Sequence, residues 1–485
     1  MMNLTISEIA NACHGRLVLQ GADENQKVTS VVLDSRKVTE GGVFLATPGE
    51  RVDGHSFIQA VFEQKAALVI CQKTPEEVAA EQGIPQDHWG SYCLVENTLD
   101  ALKELAEYYR GKLDIPIVGI TGSVGKTSTK EFIATVLAQK YQVLKNEGNF
   151  NNEIGVPLTL LRIREEHDAA VVEMGISDFG EMHRLSKMVR PNYCVMTNIG
   201  QCHLENLKTR DGILQAKSEI FDFMAEDGEI ILNGDDDKLS TIQEVNGKKP
   251  HYFGLGLNDG EEIVAKAVIS KGLWGSEAIL VRENRREDEQ KSRGFQISVS
   301  LPGAHMVINA ACAALVGELM GLEDQEIARG IAEVRASAGR GRLLRVGSYT
   351  LIDDCYNANP VSTMAALDLL MLSDTERTAI LGDMFELGGD SDQMHAKVGR
   401  YAMEIGVDRL ICVGKNSLHM YEEACKYRSG TQSVMYFETK EEFAKELDGG
   451  WYGLLGIADT ILIKASRGMH FEDLIQIFTQ EEKPA

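Results

Sequence analysis

Residues 115–128 read IPIVGITGSVGKTS, and this stretch decides the fold of the surrounding chain. The apolar run at 117–120 predicts a buried strand, residues 121–125 predict a tight turn, and Lys126 opens a predicted helix that continues to residue 137. Such a turn aims backbone N–H groups and the positive end of a helix at one point, where a phosphate group binds. Ile120 stands at the first glycine position of the usual phosphate-loop pattern, so the form present is the shorter TGxxGKTS. The plainer alternative is a glycine-rich turn with an exposed lysine.

The loop supplies the first candidate site residues. Lys126 offers a point charge for the outer phosphates of a nucleoside triphosphate and is a candidate catalytic residue, while the Thr127 hydroxyl can ligate Mg²⁺. Glu173 ends the predicted strand 169–173 and is a second candidate Mg²⁺ ligand, because hard cations prefer carboxylate oxygen. A strand-end carboxylate that faces water is the plainer interpretation. We expect the nucleotide to contact Gly122, Ser123, Val124, Gly125, Lys126, Thr127 and Ser128.

Charge and cysteine content exclude several classes of protein. The 73 acidic and 49 basic residues give a formal net charge of −24, which argues against nucleic-acid binding because phosphate contacts need clustered Lys and Arg. The nine scattered cysteines lack CxxC spacing and indicate reduced thiols. The N-terminal residues do not resemble a signal peptide, and no apolar stretch is long enough to span a membrane. We therefore expect a cytoplasmic protein without membrane insertion, and we expect a monomer.

The order of predicted elements indicates an α/β fold in three domains. Short strands and helices mix over the first part of the chain, and Pro116 marks a boundary because it interrupts any helix. Strands then alternate with helices, which is the pattern of a parallel sheet, and the pattern restarts after the loop near residues 339–342. At 485 residues, about three domains are expected. We predict a small α/β N-terminal domain at 1–112, a central phosphate-loop ATPase-like domain with a parallel sheet at 113–322 and a C-terminal Rossmann-like domain at 323–485.

Three further features carry polar side chains near predicted strand ends. His203 follows the strand-like residues 195–198, yet a lone histidine is more often a structural hydrogen-bonding group than a ligand. Lys217 lies in a predicted helix and would, by itself, be an exposed surface lysine. The segment NEGNFNN at 146–152 is unusually rich in amides, although Asn-rich turns are common. Its candidate substrate contacts are Asn149, Asn151 and Asn152.

Taken together, these motifs resemble the Mur ligase family over almost the whole chain. The first domain carries Asp34-Ser35-Arg36 and GGVFLATPGERVDGHSF. The second carries TGSVGKTS, GNFNNEIGVPLTLL, VVEMG, NIGQCHLE and AKSEIF, and the third carries Gly341-Arg342, DDCYNANP, LGDMFELG and KASRGM. The motifs GNFNNEIGVPLTLL and DDCYNANP favour the member that adds D-alanyl-D-alanine to UDP-N-acetylmuramoyl-tripeptide, so these two molecules are the expected substrates.

The resemblance implies particular roles. Glu173 and His203 would hold Mg²⁺, and Lys217 would carry a carbamate that holds a second Mg²⁺, which makes His203 and Lys217 candidate catalytic residues. ATP would be contacted by Asn309 near the adenine and by Arg342 and Asp354 from the third domain. Ser35 and Arg36 would contact the uridine diphosphate of the substrate. Asn357 and Asn359, in the turn after a strand of the third domain, are candidate contacts for the dipeptide, and they also suit a purely turn-shaping role.

Two alternatives remain open from the sequence. One is another Mur-type ligase, either the enzyme adding the third residue or a folylpolyglutamate synthetase, although the D-N-P-R motif of the former is absent and the one Asn-Pro is Asn359-Pro360. The other is a nucleotide-driven switch or motor, which usually has an Asp at the second metal-binding strand, where this chain has Glu173.

Overall fold

The computed structural model describes residues 2–49, 52–83, 85, 88–200, 202, 204–257, 260–283, 294–336, 339–385, 387–448, 455 and 459–480. The chain divides into two compact units. The first comprises residues 1–267, 279–297 and 308–332, and the second comprises residues 268–278, 298–307 and 333–485. Within the described ranges, no helix has the length and apolar character needed to cross a membrane.

The first sheet is built from the N-terminal residues, with the strand order β1-β5-β4-β3-β2. The first strand is antiparallel to β5 and the other neighbours are parallel. The side chains of β3 and β4 are all buried, which is the continuous apolar pattern of a parallel sheet covered on both faces. The strands are β1 (Arg16–Val18), β2 (Val31–Val32), β3 (Val43–Ala46), β4 (Leu68–Cys71) and β5 (Tyr92–Leu94). The helices are α1 (Ile6–Ala12), α2 (Ile58–Glu63), α3 (Pro75–Gln82) and α4 (Thr98–Arg110).

Helix α4 anchors this sheet to the rest of the first unit. It begins where the Asn97 side chain accepts hydrogen bonds from two first-turn N–H groups, an arrangement that satisfies donors that no helix can satisfy internally. At its other end the Tyr109 hydroxyl donates to the Ile163 carbonyl at 2.6 Å, and Arg110 Nε donates to the Val189 carbonyl at 2.8 Å. Both side chains are buried, so these bonds fix the helix against the neighbouring layer.

The second sheet has the order β14-β13-β12-β11-β10-β9-β6-β8-β7, with parallel pairing from β7 across to β12. The central strands β6 and β8 are buried along their whole length. The strands are β6 (Ile117–Thr121), β7 (Val143–Lys145), β8 (Ala169–Glu173), β9 (Tyr193–Met196), β10 (Glu229–Asn233), β11 (His251–Gly254), β12 (Ile263–Ser270), β13 (Ser276–Arg282) and β14 (Gly294–Val299). The helices are α5 (Lys126–Leu137), α6 (Gly155–Leu160), α7 (Glu181–Val189), α8 (Leu204–Leu207), α9 (Arg210–Ser218), α10 (Ala304–Leu319) and α11 (Asp324–Glu333).

The third sheet lies in the second unit and has the order β15-β16-β20-β17-β18-β19. Its first strand pairs antiparallel with β16, and the remaining pairs are parallel. The strands are β15 (Arg342–Val346), β16 (Tyr349–Asp353), β17 (Arg377–Gly382), β18 (Arg409–Val413), β19 (Ser433–Phe437) and β20 (Thr460–Lys464). The helices are α12 (Pro360–Leu370), α13 (Ser391–Glu404), α14 (Ser417–Tyr427), α15 (Lys440–Asp448) and α16 (Glu472–Gln480). The predicted α/β class with three sheets, the last Rossmann-like, is confirmed.

Several boundaries differ from the predicted ones for local reasons. The sequence of residues 28–33 is β-rich, yet it forms only the two-residue strand β2, because it pairs with β3 over Val31 and Val32 alone. The spacing of residues 213–224 predicts a helix, but the helix begins earlier, at Arg210, where the Thr209 hydroxyl accepts from Gly212 N–H, and it ends at Ser218 before a short 3₁₀ turn. The polar run at 283–293 predicts an exposed hairpin loop, and all of it except residue 283 lies outside the described residues.

Candidate active site

The loop between β6 and α5 has the shape predicted from its glycines. Gly125 precedes the helix with a φ of 81°, and Gly122 has a φ of 149°, both in the region that favours glycine. A β-carbon on Gly122 would lie 2.0 Å from the Thr197 hydroxyl, so any other residue there would displace the end of β9. The first turn of α5 therefore opens at the carboxyl end of β6, and its N–H groups form a site suited to phosphate.

A second element, the end of β9, holds this loop in place. Asn198 accepts hydrogen bonds from Ser123 N–H through its carbonyl at 3.0 Å and from Val124 N–H through its side chain at 3.0 Å. The Thr197 hydroxyl and the Asn198 amide both donate to the Val124 carbonyl, at 2.7 and 2.9 Å. Ser123 and Val124 were predicted to contact phosphate, but their N–H groups are used here to fix the loop. Sequence reasoning missed this role of Thr197 and Asn198.

Lys126 folds back over the loop that it follows. Its Nζ donates to the Gly122 carbonyl at 2.7 Å and lies 3.4 Å from the Ser123 carbonyl. These carbonyls hold the ammonium group at the mouth of the loop, and its contact with the outer phosphates of a nucleotide stays a prediction.

Glu173 meets the loop at the carboxyl end of the neighbouring strand β8. The Thr127 hydroxyl donates to its Oε2 at 2.9 Å, and the Asn151 amide donates to its Oε1 at 2.7 Å. Lys130 Nζ lies 3.8 Å from the same carboxylate. The carboxylate is buried, with 3% of the side chain exposed, and these donors compensate the loss of water around it. The structure thus brings Thr127, Glu173 and Asn151 together as one cluster.

Asn146 fixes the strand end that carries this carboxylate. Its side-chain oxygen accepts from Glu173 N–H at 3.0 Å, and its amide donates to the Glu173 carbonyl at 3.0 Å and to the Phe150 carbonyl at 3.0 Å. The buried Lys130 donates to the Asn146 carbonyl at 3.0 Å. The sequence analysis identified neither residue as part of the site. For Asn146, the amide-rich segment was the available signal. For Lys130 the sequence offers no signal, because its position in the helix pattern is that of an ordinary surface residue.

The other asparagines of this segment serve the backbone. Asn152 lies just before α6, and its side chain accepts from Ile154 N–H at 3.2 Å and from Gly155 N–H at 2.8 Å. The Asn149 carbonyl accepts from Asn151 N–H at 2.7 Å, and the Asn149 side chain is exposed. The contacts of Asn149, Asn151 and Asn152 with substrate stay predictions.

Lys217 lies in the last turn of helix α9 and is 1% exposed, so the prediction of an exposed surface lysine is wrong. Burial, together with repulsion from the Lys126 ammonium, lowers the pKa of Lys217 to about 8. The neutral amine is therefore a minor form near neutral pH, but it is much more populated than in an exposed lysine. His203, the other predicted metal-binding residue after β9, lies outside the described residues.

The predicted adenine contact, Asn309, lies in α10 beside the phosphate loop. Its side-chain oxygen accepts from the Thr129 hydroxyl at 3.1 Å, and a β-carbon on Gly125 would lie 3.8 Å from it. Asn309 therefore lies next to the start of α5, and its contact with adenine stays a prediction.

A cleft of about 620 Å³ opens in front of these groups in the first unit. Lys126, Asn151 and Asn152 line one side, and Leu99 and Lys103 of helix α4 line another. Its volume is that of a site for a sizeable ligand. The cleft therefore joins the phosphate loop to the N-terminal sheet layer.

The predicted uridine diphosphate contacts lie at the surface of that layer. Arg36 is 88% exposed and forms two hydrogen bonds of 2.9 Å with Asp34, through Nε and Nη2. Ser35 starts the same short 3₁₀ turn, which the Asp34 side chain caps. The guanidinium is thus oriented by a neighbour while most of it remains accessible to an anion.

In the second unit, the remaining predicted residues cluster after β16. Arg342 Nη2 donates to Asp353 Oδ2 at 3.0 Å. Lys464 Nζ, 3% exposed, donates to Asp354 Oδ2 at 2.6 Å and to the Asn357 carbonyl at 2.9 Å. Burial raises the pKa of Asp354 even though Lys464 opposes the shift. Asn359 caps α12 by accepting from Ser362 N–H at 2.8 Å, which is the turn-shaping role considered above.

The donor set fits a magnesium ion in part. Thr127 and Glu173 offer hydroxyl and carboxylate oxygens 2.9 Å apart, which are the ligand types that Mg²⁺ prefers. In the ranges that the structure describes, no three His, Cys, Asp or Glu side chains form a ready-made metal cluster. A complete site would therefore need oxygens from the nucleotide, water or a modified lysine.

The glycine loop, the strand-end carboxylate and the parallel sheet define a phosphate-loop α/β protein. Sequence models of three domains match this chain: the Mur ligase family catalytic domain at residues 27–110, the Mur ligase middle domain at 120–317 and the Mur ligase glutamate ligase domain at 339–467. The chain belongs to the Mur ligase family.

Curated relatives match along nearly the full length. The UDP-N-acetylmuramoyl-tripeptide--D-alanyl-D-alanine ligases of Bacillus subtilis and Escherichia coli are 32% and 33% identical, and each alignment covers 98% of both chains. Among solved structures, MurF from Acinetobacter baumannii is 28% identical with a TM-score of 0.85 over 98% of both chains. MurF ligase from Thermotoga maritima in complex with ADP is 27% identical with a TM-score of 0.72, covering 94% of this chain and 98% of the other.

Proposed function

We propose that this protein is an ATP-dependent ligase that joins D-alanyl-D-alanine to UDP-N-acetylmuramoyl-tripeptide. The products are UDP-N-acetylmuramoyl-pentapeptide, ADP and phosphate, which makes this a step in peptidoglycan precursor synthesis. The observation that carries the proposal is the near full-length match to ligases of that name, together with a phosphate loop whose threonine contacts a buried strand-end carboxylate. The ADP named in the Thermotoga maritima complex supports ATP as the nucleotide.

The reaction must activate a carboxylate, which is a poor electrophile. The γ-phosphoryl group of ATP is transferred to the terminal carboxylate of the tripeptide, which gives an acyl phosphate and ADP. The amine of the dipeptide then attacks the acyl carbon, and the tetrahedral intermediate collapses with release of phosphate. The protein mainly positions groups and neutralises charge. Lys126 is the residue that we assign to the transferred phosphoryl group, because its ammonium is held at the mouth of the loop.

Magnesium is the cofactor proposed for the phosphates. Thr127 and Glu173 would hold the first ion, with His203 and a carbamate on Lys217 for the second. When bound, Mg²⁺ would offset the repulsion between a carboxylate and a triphosphate. Asn151 and Lys130 would keep the Glu173 carboxylate oriented through the contacts described above.

The carbamate on Lys217 depends on a neutral amine. CO₂ adds to the unprotonated Nζ, one proton is released, and the product is an anion with two hard oxygens. Burial and the Lys126 charge lower the pKa of Lys217 to about 8, so the neutral amine is much more populated at physiological pH than in an exposed lysine, which supports this assignment. An exposed lysine would remain protonated and unreactive.

The remaining substrate groups are assigned across the three proposed domains, 1–112, 113–322 and 323–485. The uridine diphosphate is assigned to Ser35 and Arg36, and the tripeptide to the cleft beside Asn149, Asn151 and Asn152. In the third domain, Arg342 and Asp354 are assigned to ATP, and Asn357 and Asn359 to the dipeptide. We propose that the protein acts as a monomer. Its nucleotide-linked substrate and its free cysteines support a cytoplasmic location.

The decisive experiment is an acceptor panel. Purified protein is incubated with ATP and UDP-N-acetylmuramoyl-tripeptide, together with D-alanyl-D-alanine, L-lysine, diaminopimelate or glutamate, and products are identified by mass spectrometry. We expect a product only with the dipeptide. A product with one of the amino acids would favour another Mur-type ligase or a folylpolyglutamate synthetase, and ATP hydrolysis that needs no acceptor would favour a switch or motor. With ¹⁸O in the tripeptide carboxylate, label must appear in the released phosphate.

A further inference from the structure

Three loops of the second unit meet around the ring of Tyr356. This residue follows β16, while Arg340 precedes β15 and Arg467 follows β20. The guanidinium carbon of Arg340 lies 4.3 Å from the centroid of the Tyr356 ring, and that of Arg467 lies 5.7 Å from the same centroid. Two cations therefore share one aromatic ring at the carboxyl ends of parallel strands, where α/β sheets bind ligands.

The backbone around the ring is fixed rather than loose. Tyr356 N–H donates to the Gly339 carbonyl at 2.9 Å, and Gly339 has a φ of 73°. A β-carbon on Gly339 would lie 3.0 Å from the Tyr356 nitrogen, so glycine allows the close approach of the two loops. On the other side, the buried Lys464 donates to the Asn357 carbonyl at 2.9 Å. The arginines therefore extend from anchored loops.

Both arginines remain accessible. Arg340 is exposed, and the Arg467 side chain is 61% exposed, with Glu472 Oε1 3.4 Å from one of its nitrogens. A guanidinium that stacks through its flat face keeps its N–H edge available for a carboxylate. In a protein with a net charge of −24, two such cations on one ring form a local site for an anion that the overall field would repel.

Apolar side chains border the cations. Phe385 is 42% exposed. Its ring lies close to the residue after Arg467, because a β-carbon on Gly468 would lie 3.1 Å from the Phe385 ring. Val361, in the first turn of α12 after the Tyr356 loop, is 75% exposed. A short ligand with one carboxylate and small apolar side chains matches this surface.

We propose that Arg340 and Arg467, held beside Tyr356, bind the C-terminal carboxylate of the incoming dipeptide and so select an acceptor with a free carboxylate at that end. This inference rests on the proposed function. Carboxylate capture at one end of the dipeptide leaves its amine directed away from the cations, so the amine stays available for the acyl phosphate. Charge-assisted bonds of this kind also reject an acceptor whose terminus is a neutral amide.

The test compares D-alanyl-D-alanine with D-alanyl-D-alanine carboxamide as acceptors, at saturating ATP and UDP-linked tripeptide. We expect Arg340→Met and Arg467→Met each to raise the KM for the dipeptide by about tenfold or more, the ratio that corresponds to one lost charge-assisted hydrogen bond. The KM for ATP should stay unchanged. The wild type should prefer the carboxylate acceptor strongly, and the double variant should lose this preference. Tyr356→Phe, which keeps the ring, should behave as the wild type.

Arg400→Met is the matched control. Its guanidinium carbon lies 4.5 Å from the Tyr427 ring centroid, and it is half exposed, but it sits on α13 and pairs with Glu404. The proposal would be overturned if the Arg340 and Arg467 variants kept the wild-type KM for the dipeptide and the wild-type preference for the carboxylate over the carboxamide acceptor. A rise in the KM for ATP, with the KM for the dipeptide unchanged, would also overturn it. Absence of any product with the wild type would overturn the proposed function itself, so the two failures are distinguishable.

Discussion

Replacing the buried Lys217 by methionine should stabilise the protein in a pH-dependent manner while it abolishes ligation. The pKa of Lys217 is lowered to about 8 from an ordinary value of 10.5, first by burial and then by the Lys126 charge. An unfolded chain would therefore bind this proton more tightly than the folded chain does. The lowered pKa of Lys217 therefore reduces the free energy of unfolding by about 3 kcal/mol near neutral pH, and by about half as much at a pH of about 9.5. Stability of the wild type should thus rise with pH through this window.

Lys217→Met has no group that titrates at this position. The difference in free energy of unfolding between this variant and the wild type should therefore shrink by about 2 kcal/mol between a pH of about 7 and a pH of about 9.5. Urea unfolding followed by circular dichroism, in chelated and CO₂-free buffer, measures this difference. Lys187→Met is the control, since Lys187 is half exposed and water solvates its charge. Added bicarbonate should stabilise the wild type alone, by mass action on the carbamate. Parallel pH profiles for wild type and Lys217→Met would refute the reasoning.

Three further outcomes follow from the loop and the carboxylate. Lys126→Ala should lower kcat by orders of magnitude, because it removes the cation at the mouth of the loop. Product mass spectrometry measures the ligation rate, with the exposed Lys187→Ala as the control. Near-normal ligation by Lys126→Ala would exclude the assigned role. Gly122→Ala should weaken ATP binding, measured by calorimetry, because the new β-carbon would lie 2.0 Å from the Thr197 hydroxyl. Adding Thr197→Ala to this variant should restore part of the affinity for ATP. Equal affinities of the wild type, the single variant and the double variant would contradict the steric argument. Glu173→Gln keeps an acceptor for the Thr127 hydroxyl but loses the negative charge. The Mg²⁺ concentration for half-maximal activity should therefore rise about tenfold or more. An unchanged Mg²⁺ dependence would show that Glu173 is not a metal ligand.

Local patterns predicted the phosphate loop and its surroundings because the information is contiguous. The strand, the two glycines and the helix of TGSVGKTS lie within one short segment, and β8 ends at Glu173 as its apolar run predicts. Parallel pairing of β6 with β8 then places the carboxylate next to Thr127. For these residues, strand order was the only long-range information needed.

Residues that act over long sequence separations were not predictable in this way. The bond between Val124 and Asn198 joins positions 74 residues apart, and the bonds between Asn146 and Glu173 join positions 27 residues apart. Lys217 was misjudged from the sequence alone because a lysine at a helix end is usually solvated, and only the packing of α9 shows that this one is buried. The family resemblance supplied its role, whereas its isolated pattern gave the opposite expectation.

The amide of Asn146 has a consequence for how the chain tolerates change. It pairs with both backbone groups of Glu173, as a residue of an adjacent strand would, so a side chain extends the sheet by one rung beyond Lys145. That rung fixes the backbone of Glu173, while the Asn151 amide fixes its carboxylate. Side-chain substitutions at Glu153 and Ile154, which line the cleft farther along the same loop, can accordingly alter which peptide fits without removing the bonds that position the acidic group on which phosphoryl transfer depends.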